Sequence, residues 1–433
     1  MSTPTFRLVA DHVVPGEGTG RIVTNGAVDI GADGRIVAVG PVAELGPEPQ
    51  RVERLGGLLM PGLVNAHAHT PMTLVRSAGD GLPLARWLRE GVWPKEAKMT
   101  PEDAWWGMAL GSAEMLLAGV TTSCEMYFFE EAIVDAVTAT GARLVMTPGV
   151  VTAMLADGNV ATRIEEIADF HSAHHRPEQR VTVGFAPHSV YDLSADQCGE
   201  LARHAQGLDA LFHIHLEETK AERDLVLERE GKTATHVLAD AGVLEGKVLA
   251  AHGVWLDETD RRLLGEAGAA VAHCPESNLK LGSGIAPVVK MLEAGIEVAV
   301  ATDGPASNDN LDLWDELKLA PLLARGLNHD PQAMGAATAL DMATRASARA
   351  IGLDDVGYLA PGAWADVIRI DTNQPAFAPG TDLLTHLVFA GSSQFVTDVW
   401  VGGHRVVDGG QLTTLDVDGA IQEANRRGQR LAG

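Results

Sequence analysis

Eight short apolar runs recur through the middle of this chain, and most are followed by a polar loop and then a helical pattern. They span 63–66, 120–126, 143–150, 181–186, 211–215, 248–252, 269–273 and 297–302. Runs that stay apolar without alternation suit strands covered on both faces, as in a parallel sheet flanked by helices. Helical spacing fills most of the intervals, as at 104–118 and 287–294. Eight such units imply an α/β chain whose strands close into a (β/α)8 TIM-like barrel. An open, doubly wound sheet is the alternative.

The two ends read differently. Residues 6–14, 27–30 and 35–39, and again 366–370, 396–401 and 404–407, are short β-rich segments broken by Gly, Asn and Asp. They are expected to pair into one small composite β-sandwich. This divides the 433 residues into 1–60 and 361–433 for the small unit and 61–360 for the barrel.

Composition narrows the partners. Lys and Arg total 33 against 58 Asp and Glu, a formal charge of −25. That balance disfavours nucleic acid or an anionic membrane and suits a small-molecule partner. No apolar stretch reaches the roughly 20 residues of a membrane helix. No basic segment with a following apolar run marks a signal peptide. Cys124, Cys198 and Cys274 lack C-x-x-C spacing, so neither a disulfide framework nor a cysteine zinc site is expected. A cytoplasmic homo-oligomer is the expectation.

The polar residues at the C-terminal ends of the runs carry the chemistry, because barrel enzymes build their sites there. The first run leads into Asn65-Ala66-His67-Ala68-His69, and residues two apart on a strand share a face. The fifth ends in His213-Ile214-His215, followed by Leu216-Glu217-Glu218. Of these, His215 is the better placed at the mouth; His213 lies a layer deeper and reads as a core histidine. Glu217 reads as a solvated carboxylate, and Glu218 as a proton carrier over the site. The sixth run ends in His252, and the eighth in Thr302-Asp303-Gly304. Three imidazoles and a carboxylate make a nitrogen-rich site for a divalent transition metal with room for water. Such an ion supplies hydroxide near neutral pH, and a nearby carboxylate moves its proton.

Most of these residues sit among longer stretches, 61–93, 125–128, 215–219, 275–287, 302–308 and 361–366. Through them the whole chain resembles the amidohydrolase superfamily, in the branch of S-adenosylhomocysteine and 5′-methylthioadenosine deaminases and their chlorohydrolase relatives. The resemblance implies that His67, His69, His215 and Asp303 hold a metal, and that Glu218, His252 and Asp303 are catalytic. Zn2+ is the expected ion, with Fe2+ or Mn2+ as alternatives. The fourth run has no lysine for a bridging carbamate, so one ion is expected rather than two. The implied substrate residues are Trp87, Glu96 (ribose hydroxyls), His188, Arg163 and Ser307. Their plainer readings are packing for Trp87, a surface carboxylate for Glu96 and an orienting hydrogen bond for His188.

One departure bears on the substrate. The resemblance implies an arginine at the end of the third strand, and this chain has Pro148 there. Arg163 is the remaining candidate to meet a substrate carboxylate, behind a loop about three residues longer than the resemblance implies. The expected reaction is therefore metal-hydroxide attack at C6 of adenosine, 5′-deoxyadenosine or 5′-methylthioadenosine, in preference to S-adenosylhomocysteine. It yields the inosine-type product and ammonia. Two rivals stand beside it. One is hydrolysis of an amine or halide on a free guanine, pterin or triazine, and the other is a non-catalytic barrel used for assembly.

Overall fold

Each of the eight apolar runs is strand in the computed structural model, which describes residues 3–18, 20–155 and 158–433. The strands are Leu63–Ala68, Val120–Tyr127, Arg143–Val150, Val181–Val183 with Ala186–Pro187, Phe212–Leu216, Val248–His252, Ala270–His273 and Glu297–Val300. Every ladder among them is parallel. Most of these strands are buried at every position, because helices cover one face and other strands the opposite one. That is why their sequences do not alternate.

The strands form a five-stranded and a four-stranded sheet. Isolated parallel pairs join them at both edges: Phe185 with Phe212 and Ser189 with His215 at one, Ala68 with Asp303 at the other. The fourth run, expected to be continuous over 181–186, is interrupted at Gly184. A side chain there would meet the Leu211 carbonyl oxygen at 2.5 Å, so the neighbouring strand comes close only because residue 184 is glycine.

The chain ends share a nine-stranded sheet. Its central contact is between strands from opposite ends: Leu58–Pro61 pairs antiparallel with Val367–Ile370 and parallel with Pro4–Val13. Antiparallel neighbours extend it outward, Val23–Gly31 on one side and Val396–Val401 on the other.

The wholly β-rich reading of the last seventy residues is corrected. Leu383–Ala390 and Val417–Ala432 are helices. The second packs on helix Pro101–Leu117 and on the Thr70–Val75 turn. Arg427 (4% exposed) explains the attachment: its guanidinium donates to Asp103 at 2.8 Å and to Glu102 at 2.5 Å. Asp103 also closes the capping box of helix Pro101–Leu117 with Thr100. Among the described residues, no helix is long and apolar enough to cross a membrane, and all three cysteines are buried and unpaired.

Candidate metal centre and active site

Histidines gather at the C-terminal ends of the parallel strands, and backbone or side-chain partners fix which nitrogen each presents. His69 Nδ1 lies 2.5 Å from the Met126 carbonyl oxygen and His215 Nδ1 2.9 Å from that of His188, so both Nδ1 atoms donate. His67 Nδ1 lies 2.9 Å from His213 Nε2. The three Nε2 atoms are thereby turned toward one another. Those of His69 and His215 are 3.2 Å apart, and those of His67 and His69 lie 3.4 and 3.3 Å from Asp303 Oδ1. Fixing one imidazole nitrogen so that the other is free to ligate is the usual support of a metal site.

The residues fit a divalent cation. His67 Nε2 is buried with no hydrogen-bond partner, an orphan costly to leave unsatisfied. Burial pushes the His67 imidazole down to about 3 and that of His215 well below its ordinary value, so both are neutral donors. Although burial opposes its charge, Asp303 is held well below the usual carboxylate range by His67 and the neighbouring imidazoles. His252 also falls within range: its ligand atom groups with those of His67 and His215 within 4.8 Å. It is held by Nδ1, 3.0 Å from Asn278 Oδ1, and its Nε2 lies 3.8 Å from Glu218 Oε2.

The surrounding backbone is strained where the site needs it. Glu217, His252 and Asp303 all have positive φ, at 50°, 76° and 62°. Non-glycine residues reach this region only when surrounding structure holds them there. Asp303 Oδ1 accepts from the Gly304 amide, and Oδ2 from the hydroxyls of Ser277 and Ser307. Glu217 is bound by Arg223 at 2.9 Å and by the Ala234 amide. It is fully buried, so its reading as a solvated carboxylate is corrected: the carboxylate pins the turn that carries Glu218.

Glu218 lines a chamber at the mouth of the strands. Burial, then the nearby Asp303 charge, raises its carboxyl to about 8. The same chamber is lined by His69, His215, His252, Asp303, Trp87, Glu96 and His188. Trp87 sits in a wide helical turn over Trp87–Val92, and its indole N–H is spent on the Ala78 carbonyl. Glu96 is 4% exposed, against the surface reading. Burial raises it to about 7, opposed by a hydrogen bond from the Tyr127 hydroxyl at 2.6 Å.

Two sequence candidates fall elsewhere. Ser307 lies behind Asp303 and is not part of the chamber wall. Arg163 lines a separate, adjoining cavity, ion-paired with Glu130 and Glu166. Part of the lengthened loop before it, residues 156–157, lies outside the described residues. The sequence reading missed Tyr127, Asn278 and Ser277. Tyr127 shares a strand face with Glu125, two residues before it at the mouth of the second run, and that was the available signal.

The amidohydrolase family pattern matches residues 58–406. A 5-methylthioadenosine/S-adenosylhomocysteine deaminase of Pelotomaculum thermopropionicum is 40% identical over 420 residues, covering 96% of each chain. Its counterpart in Moorella thermoacetica is 38% identical over 414 residues, covering 94% of this chain and 96% of its own. Among solved structures, an adenosine deaminase from Xanthomonas campestris with bound zinc superposes with a TM-score of 0.94 at 33% identity, covering 100% of this chain and 99% of that one. An atrazine chlorohydrolase from Arthrobacter aurescens complexed with zinc has a TM-score of 0.90 at 24% identity, over 98% of this chain and 100% of its own, and shows the fold alone.

Proposed function

This chain belongs to the amidohydrolase family, and we propose that it is a metal-dependent deaminase of adenine nucleosides. The observation that carries the proposal is the single chamber. It joins the histidine cluster, a carboxyl that burial raises to about 8 and a second, buried carboxyl beside Tyr127. The deaminase names of the relatives agree with it.

His67, His69, His215 and Asp303 would hold one Zn2+. When bound, such an ion lowers the pKa of a water toward about 7 and so provides a nucleophile at neutral pH. The chain's own groups do the rest. Glu218, raised to about 8, carries its proton at pH 7 and donates it to the ring nitrogen beside C6. Asp303, ionised, accepts the proton of the attacking water. His252 gives its Nδ1 hydrogen to Asn278, which leaves the Nε2 lone pair to orient that water. Glu96, with Oε1 held by Tyr127, accepts from the ribose hydroxyls, and Trp87 and His188 wall the base. As water adds at C6, the proton taken by Asp303 passes to the exocyclic amine; ammonia leaves, the C6 hydroxyl returns a proton to Glu218, and the product is the inosine-type nucleoside.

The parallel strands are read as a closed (β/α)8 barrel over 61–360, supported by the pairs that bridge both sheet edges. Residues 1–60 and 361–433 are read as a β-sandwich unit, supported by a separate apolar cluster in which Leu8, Val28, Leu59, Val367 and Trp400 take part. The C-terminal helix of that second segment attaches to the barrel side. A cytoplasmic homo-oligomer acting on a small molecule completes the proposal.

The test is ammonia release from adenosine, 5′-deoxyadenosine, 5′-methylthioadenosine, S-adenosylhomocysteine, guanine and a pterin. Turnover of the nucleosides is expected. Turnover confined to the free bases would replace the proposal with hydrolysis of a free heterocycle.

A further inference from the structure

The chamber that holds the histidine cluster has a neighbour. A second, open cavity shares Phe128, Gly149, Val151 and Met154 with it as common wall. Beyond that wall the charged residues are Glu130, Arg163 and Glu166. Among the described lining residues, two carboxylates therefore face one guanidinium.

Three of the five guanidinium N–H donors are committed. Arg163 Nη1 and Nη2 donate to the two oxygens of Glu130 at 2.8 and 3.2 Å, and both side chains are only 14% exposed. Nη1 also reaches one oxygen of Glu166 at 3.2 Å. Glu166 is 58% exposed at its side chain, which leaves capacity on its other oxygen. The adjacent strand end adds Gly149, which contributes backbone only, and the buried Pro148 before it does not reach the cavity. A carboxylate entering here would find the Nη1–Nη2 edge of the guanidinium already taken by Glu130 and would lie against Glu130 and Glu166, two negative charges against one positive. An ammonium would gain a charge-assisted hydrogen bond without breaking anything.

We propose that this second cavity receives the 5′ substituent of the nucleoside, and that Glu130 and Glu166 select an ammonium-bearing arm first, an uncharged arm second and a carboxylate-bearing arm last. The inference rests on the deaminase reading above and names the substrate class that this chain accepts. Arg163 thus acts as the counter-ion of Glu130 and not as a clamp on the substrate.

The test uses the metal-loaded protein and three 5′-thioalkyl adenine nucleosides of equal arm length, ending in an amine, a methyl and a carboxylate. Each kcat/KM is divided by that for 5′-deoxyadenosine in the same variant, so losses common to all substrates cancel. The amine arm is expected to exceed the carboxylate arm by about tenfold or more, the scale of one charge-assisted hydrogen bond. Glu166→Gln is expected to shrink that ratio severalfold. Glu130→Gln releases Arg163 and is expected to raise the carboxylate arm by about tenfold. A carboxylate arm that matches or exceeds the amine arm in the unaltered protein would overturn the proposal, as would a ratio unchanged in Glu166→Gln, an exposed position where folding is not at risk. If 5′-deoxyadenosine itself is not deaminated, the deaminase reading falls and this inference with it. If it is deaminated with no discrimination among arms, only this inference falls.

Discussion

Replacing Glu96 with Gln tests the sugar contact that separates a nucleoside enzyme from one acting on a free heterocycle. Glu96 is buried, and its Oε1 already accepts from Tyr127 at 2.6 Å, so Oε2 and a remaining lone pair are what a ribose diol would meet under the proposed function. In Glu96→Gln one acceptor oxygen becomes an amide donor facing a hydroxyl. The loss is at least one hydrogen bond to a charged group, about 1.5–3 kcal/mol, or roughly 10–150-fold in kcat/KM. The assay is a cycle of two proteins and two substrates, adenosine and its 2′,3′-dideoxy analogue. The variant is expected to lose the full factor on adenosine and little on the dideoxy compound.

The pH dependence has a definite sign. Burial raises Glu96 from an ordinary 4.5 to about 7, so its charged form, the stronger acceptor, is lost as pH falls through about 7. Discrimination between the two substrates should therefore grow from pH 6 to pH 8 in the unaltered protein and stay flat in the variant. Because the folded state holds this proton more tightly than the unfolded chain, ionising Glu96 costs stability as pH rises from about 4.5 to 7. The variant avoids that cost, so its melting temperature at pH 8 should be equal or higher. Equal losses on both substrates, or a ratio independent of pH, would refute the contact.

Three further outcomes are expected. Glu218→Gln should retain the metal by elemental analysis while turnover falls about 10²–10⁴-fold. The intact protein is expected to lose kcat/KM above about pH 8, where Glu218 gives up its proton, and the variant to show no such decline. Asn278→Ala frees His252 Nδ1 and should reduce kcat about 10–100-fold with the fold intact by circular dichroism. Arg427→Ala removes the buried anchor of the C-terminal helix and should cost about 1.5–3 kcal/mol in denaturant unfolding, with Arg430 still pairing Asp103.

What the sequence disclosed follows from burial. Strands covered on both faces must be apolar throughout, so the eight runs were legible, and a histidine at the mouth of such a run stands out. His67, His69, His215, His252 and Asp303 were found this way and come together in space. The misread positions depend on partners that only the folded chain identifies. Glu217 is solvated or buried according to whether Arg223 turns back on it. Arg163 reads as a free cation until Glu130, 33 residues earlier, is seen to hold it. Ser307 sits close to Asp303 in sequence, and proximity alone does not say that it lies behind the carboxylate. The C-terminal helix is polar on its outer side, and its place depends on Asp103, 324 residues away from Arg427.

The most direct measurement is a metal titration of activity. Protein stripped by a chelator is supplied with increasing Zn2+, and deamination of 5′-deoxyadenosine is followed by ammonia release together with loss of the adenine chromophore. Activity is expected to be absent in the stripped protein and to rise linearly to a break at one equivalent per chain. A break at two equivalents would contradict the single-ion site. Activity that survives stripping, or a fully loaded protein that deaminates no adenine nucleoside, would contradict the account itself.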